Sequence, residues 1–205
     1  SAIRGYAETL IAGAIDDKEN AIKFLRTIKS NSERMDRLVD DLMTISKIEL
    51  GIVRIDKAGL NLTEVMEAVR SIFLPKADGK CLLMTVSIKP GLETLEADRD
   101  RLVQIISNLV DNAVKFTASG GVAFGADEKE GRRFIFIEDT GVGVPAKSLQ
   151  RLGERFYRVD PSRSRELGGT GLGLAIVKHL VKAHGWDMKI ESTEGKGTTV
   201  RIFTS

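Results

Sequence analysis

Three short stretches hold residue types that could handle a phosphorylated ligand. Gly168-Gly169-Thr170-Gly171-Leu172-Gly173 sets four glycines in six residues directly before an apolar helical pattern. Inside a helix each would cost about 1 kcal/mol relative to alanine, so the spacing predicts a loop that enters a helix. Its backbone N–H groups would stand at the positive end of the helix dipole, where phosphate binds, although a plain hinge has the same composition. Asp139-Thr140-Gly141-Val142-Gly143 follows the strand pattern Phe134 to Ile137. A carboxylate at a strand end beside two glycines can accept from a ligand's amino edge, because glycine lets the ligand approach; a turn residue is the other reading. Asn108, Asn112 and Lys115 recur at i, i+4 and i+7 on one helix face, beside the apolar Ile105, Leu109 and Ala113. Two amides and an ammonium could hold a hydrated cation and a phosphate, and magnesium takes oxygen ligands while keeping several waters. A solvated polar face is the alternative.

Other phosphate motifs are excluded. There is no G-x-x-x-x-G-K-[ST], and the glycines from Gly169 onward have no H-R-D or D-F-G after them. A dinucleotide fingerprint is also rejected at Gly141-Val142-Gly143-Val144-Pro145-Ala146, because Asp139 occupies the turn and Pro145 interrupts before any helical pattern. His179 and His184 both fall on the polar side of the last helical pattern, where solvent exposure is expected.

The elements that must position these residues change character along the chain. Ala21, Phe24, Ile28, Met35, Leu38, Leu42 and Ile45 fall at alternating steps of three and four, with Asn31 as the one polar member. This is a coiled-coil seam, or else the core stripe of an internal helix pair. Ile3, Tyr6, Leu10, Ile11 and Ala14 make a shorter stripe, and Asp16 to Glu19 read as a turn and capping box between two antiparallel helices. Gly51 ends the region, and Ile52 to Gly59 read as a linker or short strand. Asn61 to Glu64 form another capping box, opening a helix that Pro75 should stop. Leu82–Ile88 and Leu92–Ala97 read as strands, and Asp98 caps a helix to Phe116. Strands follow at Gly121–Ala126 and Arg133–Glu138, a helix at Gly171–His184, and strands at Met188–Glu191 and Thr198–Phe203. Without a strict βαβ alternation, the expected class is α+β: a helical hairpin (residues 1–51) followed by a two-layer α/β sandwich (residues 52–205).

Composition bounds the function. The 205 residues are 42% hydrophobic, enough for a folded core, and 31 Lys+Arg against 29 Asp+Glu leave a net charge of +2. No global field therefore recruits nucleic acid or an anionic membrane. Cys81 is the single cysteine, which excludes an internal disulfide and fits a reducing compartment, so a cytoplasmic location is expected. No apolar run is long enough to span a bilayer. Fourteen of the 20 glycines lie between Gly120 and Gly197, so the second half carries the special backbone.

Taken in order, the motifs resemble the ATP-binding catalytic domain of sensor histidine kinases, the GHKL or Bergerat-fold ATPases. Asn108–Thr117 is similar to the family's N box, Asp139–Gly143 to its first glycine box, and Glu154–Asp160 to its F box. Gly169–Leu174 is similar to the second glycine box and Gly195–Thr198 to the last. Ile3–Leu10 and Arg37–Leu42 resemble the dimerisation and histidine-phosphotransfer helices of the same family. The resemblance implies ATP and Mg²⁺ as ligands, with Asp139 accepting from the adenine amino group and Gly141, Gly143 and Thr198 around that pocket. It implies that Asn112 binds Mg²⁺, Asn108 holds the metal and phosphate side, Lys115 contacts phosphate and Phe116 lies against the nucleotide. Residues 144–170 would form a lid that Phe156 packs down, with Arg158 near the phosphates and Thr170, Gly171, Leu172 and Gly173 cradling them. It further implies a homodimer through the N-terminal helices and a response-regulator receiver domain as partner. The family's phosphoacceptor histidine would fall upstream of Ser1, and neither His179 nor His184 can replace it. Gly153 departs from the family's usual bulky apolar lid residue, Phe116 from a common tyrosine and Trp186 from a frequent second glycine. Other ATPases of this fold, or a non-catalytic nucleotide-binding dimerisation module, are the alternatives.

Overall fold

The computed structural model describes residues 2–52, 54–160 and 169–204. Contacts within the chain divide it into two compact units, Ser1–Ser46 and Lys47–Ser205.

In the first unit α1 (Ala2–Ile11) and the long α2 (Lys18–Glu49) are joined by a 3-10 turn at Ala14–Asp16. Asp17 Oδ1 accepts the backbone N–H of Asn20 at 3.2 Å, satisfying one of the free donors at the start of α2. Tyr6 stacks on Phe24 with ring centroids 5.2 Å apart, which fixes the hairpin's closed end. Surface pairs such as Lys23 with Glu19 at 2.7 Å support the helix by a few tenths of a kcal/mol each. The seam is only partly covered: Ala21 and Ile45 are buried, while Met35 is 56% and Leu42 57% exposed. Asn31 donates to the carbonyl of Thr27 at 2.9 Å and so bonds its own helix.

The second unit is a mixed five-stranded sheet with helices on one face. Its strand order is β2 (Leu83–Ile88), β4 (Gly121–Lys129), β5 (Arg132–Asp139), β7 (Gly197–Phe203) and β6 (Asp187–Thr193). The β2–β4 pair is parallel and the others antiparallel. A separate two-stranded piece pairs β1 (Ala58–Asn61) with β3 (Thr94–Ala97). The helices are α3 (Leu62–Asp78), α4 (Arg99–Phe116), the short α5 (Ala146–Leu149) and α6 (Gly173–Ala183). The α4 helix packs between α3 and α6, and its Leu102, Ile105, Ile106, Leu109 and Val110 are all buried. They face a sheet layer that includes Ile135, Ile137, Val200 and Ile202, also buried. The α+β expectation of a helical hairpin followed by a two-layer sandwich holds.

Two of the three capping expectations hold, since Asn61 Oδ1 accepts from the N–H of Thr63 at 3.0 Å and Asp98 Oδ1 from that of Arg101 at 3.1 Å, whereas at the start of α2 the bond is made by Asp17 and not by Asp16. Two other expectations need correction. Pro75 does not stop its helix, which runs on to Asp78, because continuing it places Ala77 in the core with no exposure. His184 is not exposed but 1% accessible, stacked on Trp186 with centroids 4.4 Å apart. Its Nδ1 lies 2.8 Å from the Leu180 carbonyl and its Nε2 accepts the N–H of Asp98 at 3.3 Å. Those partners require the neutral ring with its proton on Nδ1. Burial pushes this imidazole below its ordinary value, against the opposing pull of the Leu180 carbonyl and Asp98.

Candidate functional site

Asp139 is the last residue of β5, directly opposite Thr198 on β7, and Thr198 in turn lies opposite Ser192 on β6. Residues opposite one another in a ladder share a face, so these three side chains form a row across three adjacent strands. The row continues the layer of Ile137, Val200 and Ile190, whose Ile137 and Val200 lie in the core. It is therefore the position where the sheet's apolar inner face becomes polar.

The glycines around Asp139 are required sterically. A side chain at Gly141 would put its Cβ 2.6 Å from the Phe116 carbonyl oxygen and 2.8 Å from Asp139 Oδ1. At Gly143, with φ +64°, it would meet the Thr193 carbonyl at 2.1 Å. The loop is fixed by backbone bonds from Val142 N–H to Phe116 O at 3.3 Å and from Gly195 N–H to Val142 O at 2.7 Å. Asp139 Oδ1 accepts from Gly141 N–H at 2.8 Å. Burial pushes its carboxyl above the usual range; the amides of Gly141 and Thr198 work against that, and Glu138 adds to it. A half-buried carboxylate with unused lone pairs is suited to a ligand that donates hydrogen bonds.

The α4 face bearing Asn108, Asn112 and Lys115 is partly buried along its length. A Cβ at Gly173, the first residue of α6, would lie 3.1 Å from Asn108 Oδ1, so the amide face of α4 meets the start of α6. That start has no side-chain cap. Thr170 Oγ1 accepts from Leu172 N–H at 3.2 Å, Gly171 takes φ +76°, and Leu172 is buried. The turn thus brings the first amides of α6 beside the Asn108 side chain. At the other end of α4, Lys80 donates to the carbonyls of Val114 at 2.7 Å, Lys115 at 3.1 Å and Thr117 at 3.2 Å, a cation at a helix C-terminus. Phe116, the last residue of α4, is partly buried.

Lys115 is 9% exposed in its side chain and ion-pairs with Asp111, whose other oxygen takes Lys76 at 2.7 Å. Burial would raise the Asp111 carboxyl, but Lys115 and Lys76 together hold it below the ordinary value. The sequence reading did not single out Asp111; its signal was a carboxylate four residues before the candidate lysine.

In the stretch expected to form the lid, Phe156 is 62% exposed, and its backbone N–H donates to Gly171 O at 3.0 Å. Arg158 is partly buried. Gly153 takes φ +85°, and a Cβ there would lie 2.6 Å from Lys178 Cδ, whose Nζ donates to the Leu152 carbonyl. Lys178 occupies the volume that a bulky residue would fill. Residues 161–168, including Gly168, lie outside the described residues. A cavity of 850 Å³ opens at the opposite end of the strands, lined by Phe134, Phe203 and Arg132, and contains none of the motif residues.

A sheet with helices on one face, a strand-end aspartate, an amide-bearing helix and an uncapped glycine turn define an ATPase fold of the histidine-kinase type. Residues 97–205 match the family described as histidine kinase-, DNA gyrase B- and HSP90-like ATPase, and residues 1–51 match the His Kinase A (phospho-acceptor) domain. The chain belongs to this ATPase family and has the domain pair of two-component sensor histidine kinases. It is 37% identical over 201 residues to the sensor histidine kinase WalK of Bacillus subtilis (strain 168), covering 97% of this chain and 33% of that protein. It is 32% identical over 204 residues to the sensor protein SrrB of Staphylococcus aureus (strain MRSA252), covering 98% and 35%. The chain thus spans about a third of the length of these curated relatives. The crystal structure of full-length ShkA in complex with AMPPNP superposes with a TM-score of 0.77 at 27% identity, covering 91% of this chain and 39% of that one. The Acinetobacter baumannii histidine kinase AdeS has the same fold, with a TM-score of 0.78, 21% identity and coverage of 98% and 92%. The match to the phospho-acceptor domain lies within the chain, yet residues 1–51 contain no histidine.

Proposed function

We propose that this chain is the kinase core of a two-component sensor and catalyses transfer of the ATP γ-phosphoryl group to a histidine. Residues 1–51 serve as the dimerisation and phosphotransfer hairpin and residues 52–205 bind the nucleotide. The reading rests on α4, which is bonded at its end to the loop after Asp139 through Val142 N–H to Phe116 O at 3.3 Å and meets the uncapped start of α6 at Asn108.

In this reading Asp139 accepts from the adenine amino group, with Gly141, Gly143 and Thr198 lining the pocket and Phe116 against the nucleotide. The amides of Gly171 to Gly173 and the Thr170 turn receive the phosphates. Asn108 faces the same space, and Arg158 and Phe156 belong to the lid above it. Lys115 reaches a phosphate by exchanging Asp111 for it, while Lys76 keeps Asp111 neutralised. Phosphoryl transfer asks mainly for positioning and charge compensation, which amides, ammonium and guanidinium groups supply.

The site fits Mg²⁺. Among the described residues no group of three or more His, Cys, Asp and Glu could cage a metal, so the ion would be held by the Asn112 amide oxygen together with phosphate oxygens and water. Bound there, it would neutralise charge on the triphosphate. In this reading neither His179 nor His184 is the acceptor, and a receiver domain takes the phosphoryl group onward. A second copy covers the exposed apolar face of the hairpin to give a four-helix bundle. The site works in the cytoplasm, where ATP is available; among the described residues no helix is long and apolar enough to cross a membrane.

Radiolabelled ATP offered to this chain with a histidine-bearing hairpin of the same sensor tests the activity. Acid-labile label on the hairpin is expected; ATP binding without any label would reduce the assignment to a nucleotide-binding module.

A further inference from the structure

Ser192 belongs to none of the glycine or asparagine motifs, yet its hydroxyl joins three parts of the site. It accepts from the N–H of Val144 at 2.8 Å and donates to the carbonyl of Gly197 at 2.8 Å, and its oxygen lies 2.9 Å from Thr198 Oγ1. A serine hydroxyl has one proton. That proton is used on Gly197, so in the 2.9 Å contact Thr198 must be the donor. Thr198 therefore points its only proton away from the pocket and keeps lone pairs for whatever occupies it. The neighbouring group in the row, Asp139, is an acceptor whose carboxylate already takes the amide of Gly141 at 2.8 Å.

We propose that Ser192 is a specificity-determining positioning residue: by fixing the direction of the Thr198 hydroxyl it makes the pocket's side chains acceptors only. Such a pocket favours a purine with a donating 6-amino group over one with an accepting 6-oxygen. Without Ser192 the Thr198 hydroxyl is free to rotate and donate, and the pocket loses part of its discrimination. This rests on the assignment of Asp139 and Thr198 to the base pocket.

The test is equilibrium titration of the full chain with ATP and with inosine triphosphate, which differs from ATP in carrying a 6-oxo group. Ser192→Ala should lower the ATP-over-ITP preference by about fivefold, the worth of one neutral hydrogen bond, and Ser192→Thr should restore it. Thr198→Val should lower the preference by a similar factor, and adding Ser192→Ala to it should cost nothing further, since the two act through one hydroxyl. If Ser192→Ala weakens both nucleotides equally, or the two losses add, Ser192 only braces the Val144 loop and the proposal fails. Should Ser192→Ala not fold, as judged by circular dichroism, Thr198→Val decides: an unchanged preference overturns the proposal. Asp139→Asn separates the two levels. If it too leaves the preference unchanged, the base-pocket assignment falls; if it shifts the preference while Ser192→Ala does not, only the role of Ser192 falls.

Discussion

Among the described residues of the hairpin only Leu10, Ala21 and Ile45 are buried apolar side chains, while Ile22, Leu25, Met35, Val39 and Leu42 stand exposed. The sheet unit closes on itself, with Phe124, Met66, Leu102, Ile105, Ile106 and Ile135 fully buried. The two regions meet the same demand, removal of apolar surface from water, by different routes. The hairpin has a regular helical sequence whose apolar stripe is left largely exposed, the face that the proposed second copy would cover. The sheet unit has covered its core and uses its special backbone to build a pocket. Substitutions in one should therefore leave the property of the other intact, and the following expectations test that separation.

The largest effect is expected at Gly197, where φ is +111° and a Cβ would lie 1.9 Å from the Asp139 carbonyl oxygen. Gly197→Ala must spread β5 from β7 and should cost about 3 kcal/mol. In thermal unfolding the sheet unit should melt early, while sedimentation still shows a dimer. Next comes Leu38→Asp, which puts a charge on the partly covered seam. About 3 kcal/mol per dimer, roughly a hundredfold in the dissociation constant, is expected. Sedimentation would read the shift to monomer, with ATP affinity unchanged; an equal loss of ATP binding would break the comparison.

A smaller effect belongs to Asn112→Ala. Affinity for ATP should fall about tenfold with Mg²⁺, roughly the worth of one ligand contact, and little in EDTA. An identical loss in both would remove Asn112 from the metal. The smallest effect concerns His184. Its folded value lies below the ordinary 6.5, so the fold favours the neutral ring. That contribution is complete above pH 6.5 and is lost as pH falls through 6.5 toward the folded value, because the unfolded chain takes up the proton first. The sheet unit should lose stability in that window, and His184→Asn, which cannot titrate there, should flatten that part of the stability profile. A profile unchanged by His184→Asn would contradict the lock between α6 and Asp98.

What could be read in the sequence was what is local. Asn61 and Asp98 declare their helices because a capping side chain bonds amides two or three residues away. The glycines declare the loops because their conformations exclude other residues. Pro75 misled for the opposite reason: the local penalty was outweighed by the burial of Ala77, a tertiary fact. His184 misled likewise, since its partner Asp98 is 86 residues away. The pairing of β1 with β3, some 36 residues apart, left no local mark beyond a short ambiguous segment. Ser192 escaped because one hydroxyl in a strand has no periodic signature. Its only hint was alternation with Ile190, which places it on the inner face. The proposal that Asp139, the α4 amides and the α6 turn serve one site followed from the resemblance, not from any single motif.

The most direct test of the central claim is calorimetric titration of ATP with Mg²⁺ into the parent chain and Asp139→Asn. If the strand-end carboxylate is the adenine acceptor, its loss removes about 1.5 to 3 kcal/mol, an affinity roughly 10- to 100-fold weaker, with the hairpin dimer intact. Equal affinities for the two proteins would contradict the account.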